Sequence, residues 1–468
     1  MGGYWGEGDA YMNQDKVYAV KKHLGEYDSM KIIMLLAIPA MIENILQVFI
    51  GVVDTYFVGK LGTEAIAGVG ITNLTMNVNI AFFLALGIGT TAVVSRYTGA
   101  EENDKADHAV KQSVIMALLI GLIFGSINLI FSRRILQLLG AEDGVIEYAL
   151  PYFLSVAVPS VFLCVNMVLS SALRGAGDTK TPMKVAIISN FINAILNYIL
   201  IFGVFSFSGL GILGAGLATT ISRIISVILL VRKINSEEIK MNISIFEEWK
   251  IDFKMLSSIT KISIPAALER LIMRSGQLIY GGMIIKIGTE AYAAHNIAGT
   301  IETFSYLPGM GFGVAAATLV GQNLGKKKED EAQRFGLMSY LLSTGFMVIV
   351  GVVFYIFAPF LASLFTKDEN VSNQVVQVLR IIAWFQPFLC ITLVITSALQ
   401  GAGDTKFPMY SSLIGIWGTR VLGVYILCIR LGFGLVGVWI AYAIDITVRG
   451  AILMIRYLRG KWKNVNIS

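Results

Sequence analysis

Charge is what this sequence has least of. Only 15% of its 468 residues are charged against 55% hydrophobic, and the mean hydropathy is +0.70. A soluble domain carries about 25% charged residues, so this chain lacks the polar surface of a water-exposed fold. Cysteine is equally scarce. Cys164, Cys390 and Cys428 lie apart in apolar segments with no CxxC spacing, so they read as small buried hydrophobes rather than a disulfide framework or metal cluster. His23, His108 and His295 are far apart, and no HExxH occurs. Without a nucleophile–base pair or metal cluster in the apolar runs, the chain does not read as an enzyme and is expected to need no cofactor. The first thirty residues have neither an apolar core nor a small-residue cleavage site, so they read as a cytoplasmic arm and not a signal peptide.

What the chain has in abundance is long apolar runs. A bilayer core of about 30 Å takes roughly 20 residues of helix, and backbone in lipid must satisfy its own hydrogen bonds. That measure predicts twelve spans, at about 32–58, 68–95, 110–132, 147–172, 184–204, 210–232, 258–285, 295–320, 336–362, 373–399, 409–429 and 434–457. The net charge of +6 comes from Lys and Arg gathered in short loops, where they orient the chain and do not imply nucleic acid. Their bias puts both termini in the cytoplasm, in a multi-pass protein of the plasma membrane.

The halves repeat. SALRGAGDTKTPM at 171–183 returns as SALQGAGDTKFPM at 397–409, an offset of 226, and KLGTEAIAG at 60–68 returns as KIGTEAYAA at 286–294. Ile38-Pro39-Ala40 pairs with Ile264-Pro265-Ala266, and Glu43 with Glu269, at the same offset. Six spans per half is an even number, so the halves insert the same way up, related by a pseudo-twofold along the membrane normal. The expected fold is therefore an all-α polytopic membrane protein with twelve transmembrane helices in two six-helix lobes. Its segments are an arm (1–31), an N-lobe (32–233), a basic linker (234–257), a C-lobe (258–457) and a tail (458–468). In each GAGDTK loop, Gly175 and Gly177 (with Gly401 and Gly403) are expected to turn the chain, and Asp178 and Asp404 to cap the next helix.

Charges inside a span are expensive and become functional candidates by default. Asp54 lies in the first span. Asn193 and Asn197, four apart, share a face of the fifth, and Thr219 lies on the sixth. One carboxylate with amide and hydroxyl oxygens is a hard-oxygen set suited to a small cation. Glu43 lies three turns before Asp54 on the same face, with Gln47 between. Glu269 has Arg270 and Arg274 close by, and Asp445 has Arg449 one turn away, so each reads either as a polar site or as half of an ion pair. Tyr280 occupies the repeat position of Asp54, which leaves the ion site to the first lobe.

The paired RGAGDTK-like loops, GVVDTYFVGKLG at 51–62 and the NxxxN of SNFINAILNYILIFG at 189–203 together resemble the multidrug and toxic compound extrusion (MATE) transporters. Asn197-Tyr198 stands where the DinF-like branch has Asp-Pro, and so is more similar to the NorM-type branch. The resemblance implies a monomeric secondary transporter that exports cationic, amphipathic compounds in exchange for Na⁺ or H⁺. It implies a cation site at Asp54, Asn193, Asn197 and Thr219, the Na⁺ ligands if sodium couples. Glu43, Gln47, Glu269, Arg270, Tyr280 and Asp445 are left as a substrate or second polar site. The alternative is a lipid-linked precursor flippase of the same superfamily, for whose cationic cavity Arg270, Arg274 and Arg420 are the pointers. Pro39 and Pro265 are expected places for spans one and seven to bend.

Overall fold

The structure, a computed structural model, describes residues 26–205, 208–236 and 249–465. Most of the expected N-terminal arm and half of the basic linker lie outside these residues. The first six spans are α1 (Glu26–Gly59), α2 (Thr63–Gly99), α3 (Asn103–Leu138), the pair α4 (Asp143–Ala157) and α5 (Ser160–Ala176), α6 (Lys180–Phe202) and α7 (Ile212–Ile234). The second six are α8 (Phe253–Ile287), α9 (Thr289–Gly325), α10 (Glu329–Ser363), the pair α11 (Glu369–Trp384) and α12 (Gln386–Gly401), α13 (Lys406–Arg430) and α14 (Gly434–Leu458). Nine of these helices are long and apolar enough to cross a bilayer alone, and the two bent pairs bring the number to eleven. The twelfth, α8, is long enough but interrupted by Lys261, Glu269, Arg270 and Arg274. All twelve expected spans are helical.

The fourth span of each lobe is broken, which the apolar pattern did not indicate. α4 and α5 meet at 41°, α11 and α12 at 59°. Pro159 and Pro387 each supply no backbone N–H at the start of the second piece, which ends the hydrogen-bond ladder there. In the first lobe Asn128 donates to the carbonyl of Ala157 at 3.1 Å. Gly125 and its repeat partner Gly351 lie against the carbonyls of Val158 and Ala383, where a side chain would not fit. By contrast α1 and α8 each continue as one helix through Pro39 and Pro265.

α2 and α9 are the inner helices, packed against each other and against the third and fourth spans of their own halves. α1 packs on α6 and also on α9, and α8 packs on α13 and also on α2, so the first helix of each half ties the two together. Asp252 caps α8 by accepting from the N–H of Lys254 and Met255 and lies 3.1 Å from His108 on α3. The Met255 N–H holds its carboxyl below the usual range.

At the end carrying the GAGDTK loops the seam is shut. Arg96 of α2 donates to Ala402 O across it at 3.2 Å, and its repeat partner Gln322 of α9 donates to Gly175 O at 3.1 Å. Gly99 and Gly325 lie against the backbones of Gln322 and Arg96 with no room for a Cβ. Gly177 and Gly403 turn the loops at φ of 95° and 88°. Gly175 and Gly401 do not turn: they sit in the last helical turn, pressed against Thr91 and Ala317, so here the expectation fails. Asp178 caps α6 through the N–H of Lys180 and Thr181, both at 3.0 Å. Asp404 instead pairs with Arg456 at 2.9 Å, because α14 brings a guanidinium within reach.

Candidate functional site: two polar pockets in corresponding places

The fold brings Asp54, Asn193, Asn197 and Thr219 together. α1, α6 and α7 pack mutually, and all four side chains are at most 7% exposed. Asn197 Nδ2 donates to Asp54 Oδ1 at 2.5 Å and to Asn193 Oδ1 at 3.1 Å. Thr219 Oγ1 lies 3.3 Å from Asp54 Oδ2 and 3.1 Å from the carbonyl of Ala215. A hydroxyl has a single proton, so Thr219 donates to one of these two oxygens at a time. Both amide protons of Asn197 are used, leaving its Oδ1 and Asn193 Nδ2 buried without a partner. A carboxylate beside an unsatisfied amide oxygen fits a small cation, and a carboxyl among hydrogen-bonding neighbours equally fits a proton. Arg223, one turn beyond Thr219, attracts the carboxylate but donates to Val156 O at 3.4 Å.

Glu43 and Glu269 are bound structurally and sit in matched places. Arg174 Nη1 donates to Glu43 at 2.9 Å; its repeat partner Gln400 donates to Glu269 at 3.0 Å, joined by Ser412 at 3.2 Å. Neutral donors hold Glu269, which favours the polar-site alternative over an ion pair with Arg270 or Arg274, and Arg274 turns to Gln277. Gln47 is exposed, away from the buried face that carries Glu43 and Asp54.

Asp445, the repeat partner of Thr219, sits in the second lobe's version of the first pocket. Arg449 grips it twice, at 2.8 and 3.1 Å, and Arg420 from α13 reaches it at 2.5 Å. The Arg420 guanidinium lies over the rings of Tyr442 (4.1 Å) and Tyr280 (5.6 Å). The two hydroxyls of Tyr306 and Tyr442 meet at 2.6 Å. Glu302 of α9 is 4% exposed, with Tyr442, Tyr306 and Arg420 as polar neighbours.

Comparison with known proteins agrees with this duplicated plan. The MatE family model matches twice, at residues 39–199 and 265–426. The chain belongs to the MatE family. It is 31% identical over 456 residues to a probable multidrug resistance protein NorM of Thermotoga maritima, covering 97% of this chain and 95% of that one. An uncharacterized transporter, YisQ of Bacillus subtilis, is 28% identical over 91% of this chain and 93% of its own. Among solved structures, a MOP superfamily transporter from Pyrococcus furiosus superposes with a TM-score of 0.86 at 23% identity, covering 94% of this chain and 97% of that one. A MATE transporter in a bent conformation gives 0.86 at 23% identity, over 93% and 96%. This MATE protein is thus a NorM-like, multi-pass membrane transporter and not an enzyme.

Two participants in the pockets of this transporter escaped the sequence reading. Glu302 lies inside a span, so the rule that singled out Asp54 applies to it equally. Its repeat partner is Met76, however, and a search led by matching positions passes over it. Arg420 was noted only as a possible cavity charge, and its pairing with Asp445 depends on the local winding of α13.

Proposed function

We propose that this transporter exports amphipathic organic cations in exchange for Na⁺ or H⁺ by alternating access, with Asp54, Asn193, Asn197 and Thr219 as the coupling site. The observation that carries this reading is the buried Asp54 carboxyl beside an unpartnered Asn197 oxygen. An ion drives transport only if its affinity differs between the two access states. Helices α1, α6 and α7 all contribute to the pocket, so any relative motion of α1 changes that affinity. The seam shut at the GAGDTK end by reciprocal bonds of Arg96 and Gln322 is what one of two access states requires. In this reading the transporter works as a monomer in the plasma membrane with cytoplasmic termini, its lobes spanning 32–233 and 258–457. A lipid-precursor flippase draws little support, since of its pointers Arg420 is committed to Asp445 and Arg274 turns to Gln277.

The test is efflux of a fluorescent cationic dye from proteoliposomes, with Na⁺ and pH gradients imposed separately. Asp54→Asn is expected to reduce ion-driven efflux to the passive leak while leaving expression and elution unchanged. Undiminished efflux by that variant would remove Asp54 from the mechanism.

A further inference from the structure

Spans five and eleven begin in the same register and end one residue apart. On α6 the buried positions are Val185, Ser189, Asn193, Asn197 and Ile201, a plain α-helical stripe. Adding the offset of 226 to the last four gives Gly415, Thr419, Gly423 and Leu427. Gly415 is buried, as expected, but so is Ile416, and from there the buried residues run Arg420, Val424 and Cys428. The cause is π-helical winding over Ile414–Val421, which takes up one extra residue in the turn. It rotates Thr419 partly out, where its hydroxyl bonds back to Gly415 O, and carries Arg420 into the place that Asn193 occupies in the first lobe.

The chemistry of the two pockets follows from that slip. In the first lobe the acid stands on α1, the Asn197 amide donates both to it and to Asn193, and Arg223 turns away to Val156. In the second lobe Tyr280 replaces the acid on α8, and the carboxylate moves to Asp445 at the position of Thr219. There the Arg420 charge lies against the carboxylate, over the Tyr280 ring that stands for Asp54.

We propose that Arg420 is a tethered cation, which permanently fills the second lobe's counterpart of the coupling-ion pocket and restricts exchangeable cation binding to the first lobe. This rests on the reading of Asp54 as the coupling site. It assigns Arg420 a specificity role: its guanidinium takes the place of an exchangeable ion, so the second pocket stays loaded in every access state. Glu302 and the Tyr306–Tyr442 pair close the remaining side of the cluster, and Arg449 completes the Asp445 contacts.

The test counts bound cations on purified full-length protein, as radioactive Na⁺ and, in parallel, as protons exchanged on titration. Four forms are compared: native, Asp54→Asn, Arg420→Asn, and the double variant. Arg420→Asn gives the second lobe the amide that the first lobe carries at Asn193. The native protein is expected to bind one cation, Asp54→Asn none, and the double variant one, now at Asp445. A double variant that binds no more than Asp54→Asn overturns the proposal. Failure of the Asp54 reading shows separately, as equal binding by the native protein and Asp54→Asn. Should Arg420→Asn not fold, the reverse transplant decides. Asn193→Arg is expected to lose the native cation while keeping its elution profile and melting temperature, and retention of that cation overturns the proposal.

Discussion

Asp54 in the first lobe and Asp445 in the second are held in opposite ways. Asp54 accepts from neutral groups only, with an amide oxygen beside it still free, and the nearby guanidinium of Arg223 is turned elsewhere. Asp445 has both oxygens occupied by arginines. The same six-helix scaffold thus carries one aspartate held by neutral groups alone and one already neutralised by two guanidinium groups. Buried charge is costly unless it is paired, and in the proposed reading this difference leaves the mobile cation to the first lobe. A duplicated architecture does not oblige its halves to share chemistry.

The largest effect expected from breaking this contrast is at Asp445. Asp445→Asn leaves two buried guanidinium groups without their carboxylate, a loss that costs about 3–5 kcal/mol when one partner of a buried pair is removed. The variant is expected to elute poorly by size exclusion and to melt well below the native protein. Asp54→Asn should melt with the native protein while losing coupled transport. If Asp445→Asn proved as stable as native, Asp445 would be no more locked than Asp54, and the contrast would fail.

Next in size is the matched pair on spans one and seven. Arg174→Ala removes the charged donor from buried Glu43, with an expected cost of about 2–3 kcal/mol. Arg174→Gln copies the second lobe, where Gln400 holds Glu269, and should cost only about 1 kcal/mol by thermal melting. Equal losses from the two variants would show that Glu43 needs charge where Glu269 does not.

How much of this was legible in the sequence depends on the kind of signal. The twelve spans follow from apolar run length, and the lobes from a fixed offset carried by several separated segments. The Asp54 cluster was legible because a charge in a span is conspicuous and Asn193 and Asn197 sit one helical turn apart. Three things were not. The breaks at Pro159 and Pro387 leave the apolar runs continuous. Glu302 was hidden by its apolar partner Met76. The Arg420 contact needs the π-helical turn at 414–421, which shifts the buried face while the sequence offset stays at 226 on both sides of it.

The smallest expected difference lies in the GAGDTK loops, where the two lobes have the same letters and different bonds. Asp178 caps α6 through two backbone N–H groups, and asparagine caps a helix about as well as aspartate. Asp404 offers its carboxylate to Arg456, whose charge also lies over the Phe407 ring at 4.9 Å. Asp178→Asn should therefore be silent in a thermal melt, and Asp178→Ala should cost about 1 kcal/mol. Asp404→Asn exchanges an ionic bond for a neutral one and should cost about 1–2 kcal/mol, since a hydrogen bond to a charged group contributes more than a neutral one. An Asn substitution that is silent at both positions would mean that the loops share one role, with the Arg456 pair adding nothing to it.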